Sequence, residues 1–405
     1  MTDVLVIGAG PTGLTAAAGL AERGIAVRVV DRDEEPGGVP RSSDHPGYGV
    51  MDMRRMLSGP EYARRLTDRA VARGAHIDVR ATVTDLRPRA DGGADVDITS
   101  PAGRERVSAR AVLLATGCRE RPRAARLVAG SRPSGVLTTG WLQRLVHLDH
   151  RSPGRRAVVV GAEHVSYSAV VTLAESGCST AAMVTQKASH ESFAAFDRAA
   201  RLRYRFPLLT RTRLEAIHGS PTVHGVTVVH ADGRRAHIDC DTVVFTGDWY
   251  PENTLAVAAG LHADPRTHGP STDTGARTRR AGVFATGNLV HPASTAHACA
   301  QDGARAVASI AGWLDDGRWP ESWTPIEVES PLQWSAPDAV APGEATPLLL
   351  QSAEAVNRPR LTMTQGSRML WSGRVPWARP TRPFAIPGTG LARSVPGQPI
   401  VIRID

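Results

Sequence analysis

Gly8, Gly10 and Gly13 form the run GAGPTG, which follows a short apolar stretch and opens a helical pattern. Glycines at this spacing suit a diphosphate. The first permits the turn, the second lets phosphate approach the backbone, and the third lets helix and strand pack closely. The unpaired N–H groups and positive end of the helix supply the attraction. Asp31, 18 residues past Gly13, ends the next strand, where a carboxylate can accept both hydroxyls of a ribose. A second run of the same rhythm, VVVGAEHVSYS, has Glu163 where the middle glycine belongs. An ionised carboxylate about 4 Å from a phosphate, at a surface-like dielectric, repels it by roughly 4 kcal/mol. That is about three decades of affinity. The strand after it ends in AAMVTQK, with no acid for a ribose diol and only Lys187 for a 2′-phosphate. The second run is therefore expected to keep its fold while its dinucleotide pocket is lost or weak.

Acid–base chemistry has few candidates. Asp44, His45 and Tyr48 lie in the loop GGVPRSSDHPGYG, and His291 and His297 lie in and after GNLVHPASTAH. His45 has the right group for a base near neutral pH; the alternative is that this loop only shapes the pocket. Arg41 offers a bidentate fork for a phosphate or a carboxylate. Cys118, Cys178, Cys240 and Cys299 include no C-x-x-C pair, so a redox dithiol or a metal or iron–sulfur site is not expected.

These residues need elements to hold them. Val4–Ile7, LTAAAGLAERG and AVRVVD make a β-α-β unit, and residues 58–74 read as a helix ending at Gly74. From Ile77 to Leu114, short alternating runs broken by ADGG and PAGR form a meander that closes in LLATG. The pattern then recurs: a β-α-β unit over Val158–Val184, a second meander, and finally GVFATGN before a long helix. One unit is thus duplicated, the second copy inserted into the first. From about Trp323, Pro, Trp, Thr and Ser rise and helix signals vanish. PLQWSAP, TPLLLQSA, PRLTMTQ, RMLWSGRV and PIVIRI read as strands of a β-sandwich-like module, with Trp334, Trp371 and Trp377 as core or interface.

Composition narrows the class. The chain has 405 residues, 22% charged and 41% hydrophobic, enough for two or three domains. The net charge of +8 is carried by scattered arginines with no interleaved aromatic patch, which argues against nucleic acid. No apolar run is long enough to span a bilayer, and the N-terminus begins at once with a strand. The expectation is a cytoplasmic protein with reduced thiols.

Gly37-Gly38, LLATG and GVFATGN, together with the first glycine turn, resemble the two-dinucleotide-binding-domain flavoproteins, the superfamily of glutathione and thioredoxin reductases. The resemblance spans about residues 1–320 and implies FAD. The family's last motif ends in an aspartate that bonds the ribityl chain; this chain has Asn288, whose amide can still bond a hydroxyl. It also implies cofactor contacts from Pro11, Thr12, Arg32, Gly38, Val83, Ala115, Thr116, Gly117, Gly287 and Ala296, alongside Gly8, Gly10, Gly13, Asp31, Arg41 and Asn288. The helix from about Ser294 would aim its N-terminus at the flavin pyrimidine. Within the superfamily, ATGCRERPRAARLVAGSRPSGVLTTGWLQRLV and GAEHVSYS look like the branch of hydrogen cyanide synthase, opine oxidase subunits and glycerol-3-phosphate-dehydrogenase-like flavoproteins. That branch often oxidises a carbon bearing nitrogen, and several members carry a cysteine-rich C-terminal module that this chain lacks.

The resulting expectation is an α/β protein with two Rossmann-like domains and a C-terminal all-β module. It comprises a FAD domain over 1–120 and 251–322, an inserted NAD(P)-binding-like domain over 121–250, and the module over 323–405. The expected activity is FAD-dependent oxidation of a small amine or amino-acid-like substrate, without NAD(P), with His45, Tyr48 and His297 as catalytic candidates and no metal. Oxygen, a quinone or a partner would accept the electrons. The alternatives are an NAD(P)H-dependent flavin reductase and a flavin-bound subunit of a larger oxidase. The module is the candidate surface for a protein partner or a second copy.

Overall fold

The computed structural model describes residues 2–341 and 343–405. The chain divides into two units. The first comprises residues up to Arg41, Pro46–Cys118 and Pro251–Asp405; the second comprises Ser42–His45 and Arg119–Tyr250.

In the first unit β1 (Thr2–Ile7) leads into α1 (Pro11–Ala21) and β2 (Val27–Val30). α2 (Gly59–Ala72) follows, where the sequence places a helix; Ser58 Oγ accepts from the Glu61 N–H at 3.4 Å and Pro60 occupies the first turn. Then come β3 (His76–Asp78), β4 (Thr82–Pro88), β5 (Ala94–Ser100) and the 12-residue β6 (Gly103–Leu114). β6 does two jobs. Its first part pairs antiparallel with β5, and its last part pairs parallel with β1, Val4 opposite Ala111 and Ile7 opposite Leu114. The sheet order is β3-β2-β1-β6-β5-β4.

The second unit repeats the theme. β7 (Val136–Thr138), α3 (Thr139–Gln143), β8 (Arg156–Val160), α4 (His164–Glu175), β9 (Ser179–Val184), α5 (Ala194–Tyr204) and β10 (Leu208–Leu209) precede a meander of β11 (Thr212–Gly219), β12 (Val223–His230) and β13 (Arg235–Asp239). β14 (Thr242–Phe245) returns to the centre of a parallel sheet ordered β7-β14-β8-β9-β10. Val158, Val243, Val244 and Ala157 in its central strands are fully buried, as a sheet covered on both faces requires.

The chain then rejoins the first unit with β15 (Val283–Ala285), parallel to β6, and α6 (Ala296–Asp316). The tail is mainly strands: β16 (Thr324–Val328), β17 (Leu332–Ala336), β18 (Leu348–Ser352), β19 (Arg360–Gln365), β20 (Arg368–Arg374), β21 (Phe384–Ile386) and β22 (Ile400–Ile404), with one 3₁₀ turn at Leu391–Arg393. β16-β22-β19-β20 form one sheet and β17-β18-β21 another, around a core of Ile326, Leu350, Leu361, Met363 and Ile402. The tail is not a detached appendage. Trp334 and Ala336 enter the core of the first unit beside Leu5, Val96, Ile98 and Leu114. Asp338 accepts from Ser271 Oγ (2.6 Å) and the Thr272 N–H (2.8 Å), and Glu344 pairs with Arg277 at 2.8 Å. No helix among the described residues is long and apolar enough to cross a membrane.

Two stability predictions follow from burial. Trp334 is 8% exposed, and Trp334→Ala removes about 3–5 kcal/mol of unfolding free energy in urea. The same change at Trp141, 52% exposed, costs within about 0.5 kcal/mol. Glu120 is 6% exposed, and burial pushes its carboxyl from 4.5 up to about 7 despite the Gly140 N–H that it accepts at 2.9 Å. Between those two pH values the folded form holds a proton that the unfolded chain has lost, so stability falls as pH rises through this window. Glu120→Gln removes the penalty: the variant gains on the wild type from pH 4.5 to about 7, by at most about 3 kcal/mol, and no further above it. Denaturant melts across pH check this.

Candidate functional site

The three glycines of the first turn are required for three different reasons. Gly8 has φ +109°, and a Cβ there would lie 2.5 Å from the Ala115 carbonyl oxygen. A Cβ on Gly13 would overlap the Gly8 carbonyl oxygen, so this glycine sets how closely α1 meets β1. Around Gly10 nothing lies within 4 Å of where a Cβ would be. That open side adjoins the first turn of α1, which has no side-chain cap, so its N–H groups are available to an anion. Gly38, φ +64°, closes on the turn, its would-be Cβ 2.9 Å from Gly10 Cα, and the Gly37 N–H donates to Ala9 O at 2.7 Å.

Asp31 braces this turn. Its Oδ2 accepts from the Ala9 N–H at 2.6 Å and its Oδ1 from the Asp33 N–H at 2.9 Å, leaving further lone pairs for a ribose. Thr116 Oγ1 donates to Glu252 O (2.8 Å), whose own N–H donates to Gly117 O (2.9 Å). Gly287, φ +72°, sits against Thr12, where a Cβ would overlap the hydroxyl, and Gly303 on α6 sits against the Thr12 carbonyl in the same way. The open face at Gly10, the uncapped N–H groups and the Asp31 carboxylate fit an adenine dinucleotide.

Other sequence-derived site residues are differently engaged. Arg41 is paired with Glu35 (3.1 Å) and Asp33 (3.8 Å) rather than held open. The Asn288 amide clasps its own loop: Nδ2 donates to Ser294 O at 3.1 Å and Oδ1 accepts the Ser294 N–H at 2.9 Å. Val83 lies on β4 opposite Ile98 and packs against the core; Arg32 is exposed; Pro11 and Ala296 open α1 and α6. Of the catalytic candidates, Tyr48 and His297 belong to the first unit and His45 to the second. Tyr48 lies 5.7 Å from the ring of Tyr62, whose hydroxyl donates to Asp52 Oδ2 at 2.5 Å; burial and that carboxylate push the Tyr62 phenol upward. His297 stands in the first turn of α6, its Nδ1 buried with no hydrogen-bond partner among the described residues.

Two residues that sequence reasoning missed complete a constellation around His291. This residue is buried, with Nδ1 2.9 Å from Ser294 Oγ and Nε2 2.8 Å from Asp302 Oδ2 on α6. The short spacing of His291 to Ser294 was visible in the sequence, but Asp302 is 11 positions away across a helix start, and no local pattern links them. None of the four cysteines forms a disulfide among the described residues, and burial pushes Cys178 and Cys240 up to about 12. No metal-ligand cluster occurs among the described residues.

In the second unit the Glu163 side chain folds over its own turn. Ser166 Oγ and Thr246 Oγ1 donate to Glu163 Oε2 at 2.8 and 2.9 Å. Gly161 (φ +134°) and Gly247 (φ +62°) flank the carboxylate; a Cβ would come within 2.5 Å of it at the former and 2.9 Å at the latter. Arg126 holds the far side, donating to Thr246 O (3.0 Å) and Gly247 O (2.8 Å). The loop after β9 folds back too, the Glu191 N–H donating to Ala162 O at 2.9 Å and His164 Nδ1 lying 3.0 Å from Ser192 Oγ.

Comparison with known proteins places this geometry in a family. Residues 2–303 match the pyridine nucleotide-disulphide oxidoreductases. An opine oxidase subunit from Rhizobium meliloti is 28% identical over 78% of this chain and 63% of its own length. The chain therefore spans under two thirds of that relative. A ferredoxin--NADP reductase of Saccharopolyspora erythraea is 30% identical over 71% of this chain and 84% of its own. Among solved structures, T. acidophilum thioredoxin reductase shares the fold, with a TM-score of 0.66 at 20% identity over 76% of this chain and 97% of its own.

Transplanting the acid tests the first turn. Gly10→Glu lowers FAD affinity of the apoprotein by about three decades, whereas Glu163→Gly leaves it unchanged. Titration of apoprotein with FAD, followed by flavin fluorescence, checks both.

Proposed function

The chain belongs to the pyridine nucleotide-disulphide oxidoreductase family and is an FAD-dependent oxidoreductase, and we propose that it oxidises a C–N bond of a small amine or amino-acid-like substrate without drawing electrons from NAD(P)H. The observation that carries this reading is the contrast between the two turns: Gly10 is open, whereas its counterpart Glu163 lodges a carboxylate between Gly161 and Gly247. The likeness to a subunit of opine oxidase supports the substrate class.

FAD, when bound, supplies the hydride acceptor. The protein's part is to hold and orient it and to manage one proton. The α1 N–H groups and the Gly10 face hold the diphosphate, and Asp31 holds the ribose. Gly38, against Gly10, and Gly287, against Thr12, border the same turn. Within the first unit, Tyr48 and His297 are candidates for orienting substrate. Oxygen, a quinone or a partner bound through the strand-rich tail accepts the electrons.

A second reading, an NAD(P)H-dependent reductase, is favoured by the ferredoxin--NADP reductase relative. It requires Glu163 to swing out of its hydroxyl cage.

Anaerobic mixing separates the two. FAD-loaded protein is expected to keep its flavin band with micromolar NADH or NADPH and to bleach with at least one member of an amine and amino-acid panel. Rapid bleaching by either nicotinamide sinks the first reading. Glu163→Gly is expected to raise nicotinamide affinity by about 10²–10³-fold; equally tight binding before and after shows that the acid never obstructed the turn.

A further inference from the structure

We propose that Ser294, His291 and Asp302 form a proton relay that serves the substrate-facing side of the flavin unit. The inference rests on the reading above, since oxidation of an amine requires a base for its nitrogen-bound proton. Three observations carry it. The loop that holds the relay begins at Gly287, which is pressed against Thr12 of the dinucleotide turn. It is fixed in one shape: Asn288 bonds both backbone groups of Ser294, and Ala293 is held at φ +75°, which only a well-braced loop sustains. His291 lies between the two other members, its side chain 8% exposed and that of Asp302 13% exposed, while Ser294 at the other end is partly exposed.

The direction of the relay follows from lone pairs. Nε2 of His291 lies 2.8 Å from an Asp302 carboxylate oxygen. That oxygen lies off the line of an Nε2 hydrogen bond, so the contact acts through charge, and the negative oxygen favours the tautomer whose Nε2 carries the hydrogen. In the neutral ring Nδ1 is therefore the acceptor, and the Ser294 hydroxyl 2.9 Å away points its hydrogen inward and its lone pairs outward. An ammonium or amine N–H meeting that oxygen passes its proton to Ser294 Oγ while the Ser294 O–H proton passes to Nδ1. One N–H bond breaks and one O–H forms; one O–H breaks and one N–H forms; the electron pair stays on the substrate nitrogen. The resulting imidazolium faces Asp302. The charged and titratable neighbours are Asp302 itself, Arg305, bonded to Asp302 Oδ1 at 2.9 Å, and the Cys299 thiol, which burial and Asp302 hold protonated. His291 and Asp302 are positioning residues in this scheme, and Ser294 is the group that meets the substrate.

The test uses FAD-loaded protein and two independent readouts. The first is long-range ¹H–¹⁵N NMR of histidine-labelled protein. It is expected to show neutral His291 as the Nε2–H tautomer, with its Nδ1 resonance shifted by Ser294→Ala. The second is the rate of flavin reduction by whichever amine or amino acid of the panel bleaches the wild type, followed across pH. Ser294→Ala is expected to slow reduction about 10²-fold with FAD affinity unchanged, Ser294→Thr to restore it, and His291→Gln to remove one ionisation from the profile. An Nδ1–H tautomer overturns the relay, as does Ser294→Ala with an unaltered rate and profile. If no amine or amino acid reduces the wild-type flavin, the substrate reading fails by itself, and the tautomer still decides the relay.

Discussion

A helix that opens a β-α-β turn begins with N–H groups that nothing in the helix can satisfy, and they attract negative charge. The two units of this chain place different surroundings beside that start. In the first, the space beside Gly10 is left empty of protein and the helix start is uncapped. In the second, the helix start is likewise without a side-chain cap, but a carboxylate from within the turn lies there, tied to the hydroxyls of Ser166 on α4 and Thr246 just after β14. Glu163 thus places negative charge at the second turn through bonds to two hydroxyls, not by capping the helix N–H groups.

That arrangement constrains the neighbouring residues. Gly247 keeps a positive φ and lacks a Cβ where the Glu163 carboxylate lies, and Ser166 replaces the third glycine of the motif with a hydroxyl donor. Arg126 supplies positive charge near the caged carboxylate while bonding the carbonyls of the β14 exit. In the first unit the equivalent investment goes into braces rather than plugs. Asp31 ties β2 to the turn, the Asn288 amide ties the loop to itself, and Gly303 lets α6 lie against the Thr12 backbone. The strand-rich tail adds Trp334 and Ala336 to the same hydrophobic core, so it contributes to the flavin unit's packing, which a sequence-level reading as a separate module does not convey.

Much of the fold was legible in the chain. The glycine turns, the duplicated β-α-β pattern, α2 and the five tail strands follow from local periodicity and turn chemistry, which depend on near neighbours only. β16 and β21 were missed. Pro325 breaks the first of these runs and Pro387 closes the second, and each strand owes its existence to partners far along the chain, β22 and β18. The site was legible in part. The types at Gly8, Gly10, Gly13 and Asp31 announce a dinucleotide, but the pairing of Arg41 with Glu35 and of His291 with Asp302 depends on rotamers and on segments that meet only when folded.

The sequence by itself determined the class of the protein. Glycine spacing, strand-to-helix rhythm and an acid at one middle position fix a two-unit nucleotide fold with unequal turns, because a missing or added side chain acts on its own backbone. Tertiary structure decided what those side chains are for. Whether Glu163 points out to solvent or back between Gly161 and Gly247, whether Asn288 is free or spent on Ser294, and which acid faces His291 are matters of direction in space. Residue type sets which bonds a group is able to make, and only the folded chain settles which partner lies within reach.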